Sequence, residues 1–69
     1  MKIYLVVHED GDSRTYDAFR AREHADECAE ETYVSYFSSG VELDRSGDLW
    51  TGTNDHKPVR LEIQEVDLQ

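Results

Sequence analysis

Nine consecutive residues, EHADECAEE at positions 23–31, hold five carboxylates, one histidine and one cysteine. Imidazole and thiolate are zinc ligands, and His24 and Cys28 stand four residues apart, close enough on a helix to share an ion. His8 and His56 are the remaining histidines that could complete such a site. Against this, Cys28 falls inside an apolar helical stripe, where a free cysteine behaves as a small hydrophobe. The chain contains no CxxC, HxxxH or HExxH pattern. Metal binding through His24 and Cys28 is therefore the third choice, and no cofactor is expected. The DGDS segment at 10–13 opens like a calcium loop but lacks the twelve-residue pattern and its closing glutamate.

Catalytic signatures are equally sparse. There is no GxSxG, no phosphate-cradling glycine loop and no cysteine–histidine pairing at a family spacing. A chain of 69 residues leaves little room to enclose a ligand pocket of roughly 300–1,000 Å³. The expectation is a protein without enzymatic activity.

Charge is the dominant global feature. Sixteen acidic residues against seven basic ones give a formal net charge of -9. Such a surface repels phosphates, so direct nucleic-acid binding is not expected; a basic protein surface is the natural partner. Only Lys2 and Lys57 are lysines. Scarce lysine with abundant Asp and Glu also fits a salt-adapted proteome, in which acidity serves solubility alone. The apolar run Ile3 to Val7 is too short for a membrane span or a signal-peptide core. A single cysteine excludes an internal disulfide and points to a reducing compartment. A cytoplasmic protein is the expectation.

The elements that must position these residues follow from periodicity. KIYLVVHE reads as a central strand, with Ile3, Leu5 and Val7 on one face and Tyr4, Val6 and His8 on the other. Asp10-Gly11 marks a turn, and RTYDAF returns antiparallel. From Arg22 the period becomes helical. Ala21, Ala25, Cys28, Ala29 and Thr32 form one stripe, with Glu23, Asp26, Glu27, Glu30 and Glu31 on the opposite face. Arg22 alone offsets these five acids, an unusually pure sign for a face selected only for stability.

YVSYF at 33–37, rich in β-branched and aromatic residues, is read as strand, interrupted by SSG. VELDRSGDLWTG follows as a hairpin turning at Arg45-Ser46-Gly47-Asp48. TNDHKP is read as a polar loop in which Pro58 ends pairing. VRLEIQEVDLQ closes the chain as a strand, with a phase shift near Glu65 suggesting a bulge. The expected fold is one α+β domain over 1–69, two-layered, with one amphipathic helix on an antiparallel-rich sheet in the order β-β-α-β-β-β. The first and last strands, being the most apolar, belong side by side near its middle.

Phe19, Ala21, Arg22, Glu23, Ala25 and Ala29 carry a resemblance. A Tyr-rich first strand, a Gly turn, AFRAREHADECAEE and a closing RLEIQEVDL strand look like a loose group of small uncharacterised proteins of phages and prokaryotic mobile elements. It covers about half the chain, excludes the 38–58 segment and carries over no functional residue. It implies a small accessory protein that binds a host protein, as anti-CRISPR proteins do when they imitate nucleic acid.

The expectation is therefore a non-enzymatic inhibitor whose acidic surface occupies a basic, nucleic-acid-handling surface of a host defence complex. Glu23, Asp26, Glu27, Glu30 and Glu31 would carry the contact, with Asp44 and Asp48 as a second acidic patch. The alternative is a self-associating structural domain of a salt-adapted organism. Tyr33, Tyr36, Phe37 and Trp50 compete as core or interface aromatics. An edge strand leaves homodimerisation open.

Overall fold

A computed structural model describes residues 1–68 of the chain. Strands β1 (Lys2–Asp10) and β2 (Ser13–Phe19) precede helix α1 (Arg22–Ser38), followed by β3 (Leu43–Ser46), β4 (Leu49–Asn54) and β5 (Lys57–Asp67). The strands form one antiparallel sheet in the order β2-β1-β5-β4-β3. This is the expected two-layer α+β arrangement, with β1 and β5 adjacent at the centre.

Alternation along each strand decides which residues meet the helix. Tyr4 and Val6 of β1, Trp50 of β4, and Val59, Leu61 and Ile63 of β5 share the covered face. Ala25 and Ala29 of α1 pack onto Val6, Leu43, Trp50, Val59, Leu61 and Ile63, all buried. The two alanines are fully inaccessible, so the helix backbone lies close over the indole and leucine beneath it. Gly52 lies beside Leu43 on this face; a Cβ there would stand 2.7 Å from the Glu42 carbonyl and 2.7 Å from Leu43 Cδ2.

Three local expectations are corrected. Tyr33–Phe37 is helix, not strand, because the buried stripe continues through Tyr33 and Tyr36, which pack against the core. Tertiary packing here outweighs the β preference of aromatic and branched residues. The helix ends instead at Ser38, and Gly40, two residues on, holds a left-handed φ of 85°. There Val41 N–H donates to the Tyr36 carbonyl and Gly40 N–H to that of Phe37, closing a Schellman cap.

Next, Pro58 does not end pairing. β5 begins at Lys57, and Asp55 and His56, both at positive φ, form a tight hairpin turn back from β4. Lastly, no bulge interrupts β5, whose register with β1 runs unbroken from Val59 to Asp67. The phase shift is real but means something else: Val66 faces the side of the sheet opposite Ile63.

Candidate functional site

Helix α1 buries Ala25, Ala29 and the inner sides of Thr32, Tyr33 and Tyr36. At 100° per residue, the opposite side is formed by Glu23, Glu27, Glu30, Glu31, Val34 and Phe37. All six are exposed. Two are large and apolar, Val34 at 57% and Phe37 at 61% exposure. The outer face thus has two halves, carboxylates over the first turns and an apolar step at the C-terminal end.

The structure separates the seven acidic residues expected to act together. Arg22 Nε donates to Asp26 at 3.1 Å, and Arg22 Nη2 donates to Asp48 across from the β3–β4 turn. These two carboxylates hold the Arg22 guanidinium above its usual pKa, Asp48 having the larger effect. Asp26 is half-buried at the flank of the helix, not on its outer face. Arg45 reaches Glu30 at 3.4 Å while its guanidinium stacks 4.5 Å from the centre of the Trp50 ring. Arg22 is therefore not the only counter-charge to the helix acids; Arg45 arrives from another element.

Asp44 alternates with buried Leu43 and so faces away from the helix. It does not form a patch with Asp48, which Arg22 draws towards α1. What remains is Glu23, Glu27 and Glu31, spaced i, i+4, i+8, or roughly 6 Å apart along the axis. Among the described residues, none of the three has an ion-pair partner.

His24 is exposed and Cys28 half-buried against the core. The Cys28 thiol lies 4.0 Å from Asp17 Oδ2. Burial pushes its pKa up, and the charges of Asp17 and Glu31 push the same way. That is the opposite of the electropositive setting that activates a thiolate. Among the described residues, no group of three or more His, Cys, Asp and Glu side chains is arranged to hold a metal ion, and no helix is long and apolar enough to cross a membrane.

Sequence reading missed one polar constellation. Tyr36 OH donates to Asp10 Oδ2 at 2.8 Å and lies 2.5 Å from His8 Nε2. Asn54 Nδ2 also donates to Asp10, at 3.4 Å. Since the single hydroxyl proton is given to Asp10, the short contact requires His8 Nε2 to carry a proton and donate. The chain of bonds ties the helix to the ends of β1 and β4. It borders a solvent-open cleft of about 500 Å³ lined by Glu31, Thr32, Ser35 and Ser39. Asp10, at the start of the supposed calcium loop, is thus committed to a structural bond.

Trp50 is core, while Tyr33 and Tyr36 are half-buried, so of the four competing aromatics only Phe37 is free for a partner. Continuing the helical period past Thr32 would have placed Val34 and Phe37 in line with Glu23, Glu27 and Glu30. Comparisons with protein-family models, with curated proteins and with solved structures found no match to this chain.

Proposed function

We propose that this protein is a non-enzymatic binding module that docks the outer face of α1 on a basic surface of another protein. What supports this is the placement of exposed Val34 and Phe37 on the same helix face as unpaired Glu23, Glu27 and Glu31. Acidity that serves only solubility gives no role to the apolar step beside it. A contact needs both kinds of group. Carboxylates steer a cationic partner, and an aromatic side chain in an apolar pocket holds it.

In its most specific form, the partner surface is a nucleic-acid-binding groove of a prokaryotic defence complex, and the carboxylate row stands where phosphates would lie. The expected partner has an arginine- or lysine-lined groove with an apolar pocket about one helical turn beyond it. Capture of such a protein from prokaryotic lysate should be lost in the variant E23K/E27K/E31K and weakened at least tenfold in Phe37→Ser. Short duplex DNA should displace it. Both variants change exposed positions, so circular dichroism should show a retained fold. Equal capture by wild type and the triple variant would overturn the proposal.

A further inference from the structure

The other side of the sheet carries no helix. Register and alternation place Ile3, Leu5 and Val7 of β1, Tyr16 and Ala18 of β2, Leu49 of β4 and Val66 of β5 on this open face. Val7 is only 3% exposed yet lies outside the helix–sheet core. Its burial comes from in-plane neighbours such as Tyr16 and Glu62, its partners on the adjacent strands. Leu68, paired to Met1 through a Leu68 N–H to Met1 carbonyl bond of 2.7 Å, continues the same alternation. Tyr16 is 55% exposed and Leu68 42% exposed. A second apolar surface therefore lies on the opposite side of the molecule from Phe37.

Charge indicates what covers it. The ionic groups on this face are Glu9, Arg14, Asp44, Arg60 and Glu62, one net negative charge in a chain of net charge -9. Two pairs are neutralised in place, Arg14–Glu9 at 3.6 Å and Arg60–Glu62 at 2.9 Å. Elsewhere two copies would meet with like charges opposed. Here the apolar side chains of β1 and β2 and Val66 of β5 face one another, next to the self-compensated Arg60–Glu62 pair on the middle strand, with the Arg14–Glu9 pair towards the β2 edge. Strand spacing and rise give a face of about 30 by 20 Å, roughly 600 Å² per copy, which clears the ~1,000 Å² total of a specific interface.

We infer that two copies stack their sheets face to face through this surface, forming a dimer with both α1 helices outward. Stacked sheets lie about 10 Å apart with their side chains interdigitated. The inference stands on observations separate from those behind the helix-face proposal and does not need it.

Sedimentation equilibrium at physiological salt tests it. The wild type should approach the mass of two 8.0 kDa chains as concentration rises. Tyr16→Asp and Leu68→Asp, both at exposed positions of the face, should each raise the dissociation constant at least tenfold with unchanged circular dichroism. Thr15→Glu, exposed on the helix side of β2, should leave it unchanged. A single-chain mass at every concentration overturns the inference. So does a dimer indifferent to both face variants, which would place the contact elsewhere, as at the β2 or β3 edge.

Discussion

At the scale of single residues, two half-buried protons carry testable consequences. Tyr36 loses water on burial and donates to Asp10, whose charge also opposes phenolate formation, so its pKa is raised. An unfolded tyrosine gives up its proton near pH 10.0, before the folded one does. The folded state therefore binds more protons above that pH, and the stability this bond contributes, intact below pH 10, is lost as pH rises further. Tyr36→Phe should cost about 1–2 kcal/mol at neutral pH, because His8 and Asp10 lose a partner. It should also flatten the alkaline decline seen in urea titrations; parallel declines in both proteins would contradict this account.

Cys28 is the second case. Its raised pKa leaves little thiolate at neutral pH, so alkylation should run slower than for free cysteine in the same buffer. Faster alkylation would reopen the metal reading. Cys28 was legible in the sequence because helical spacing alone put it beside Ala25 and Ala29. The Tyr36 network was not. Its members lie 28 and 26 residues apart, and only the register of helix against sheet brings them together.

At the scale of elements, the helix shows where local signals mislead. Its start was legible from the change of period at Arg22. Its end was not, because YVSYF has strong strand composition that masks the continuing stripe. The decisive sign lay in the sequence all the same: a glycine two residues past the last helical position, followed by an apolar Val41. Gly40 holds a φ of 85°, where a Cβ is strained although the space around it is open. Gly40→Ala should lower stability by about 1 kcal/mol in chemical denaturation, and Gly40→Asn by less, since asparagine tolerates that backbone. An alanine variant as stable as wild type would show that the cap does not set the helix end. The last strand teaches a related lesson. The shift from Ile63 to Val66 was visible, but a sequence cannot distinguish a bulge from a strand with apolar residues on both faces. The unbroken register decides for the second.

At the scale of the whole molecule, the charge is unevenly placed. The open sheet face holds one of the nine net negative charges, so the rest lie on the helix side, the turns and the strand ends. The two apolar surfaces should therefore answer to salt in opposite directions. Docking of the Glu23, Glu27 and Glu31 row on a basic partner gains from attraction that salt screens, so capture should weaken as salt rises. Stacking of two open faces rests on the apolar side chains of β1 and β2 and is opposed by repulsion between two strongly acidic bodies. Salt screens that repulsion too, and dimerisation should strengthen over the same range. Measuring both equilibria along one salt series separates the surfaces without any mutation. If both weakened together, the self-contact would have to run through ion pairs instead of the Leu5, Tyr16 and Val66 surface.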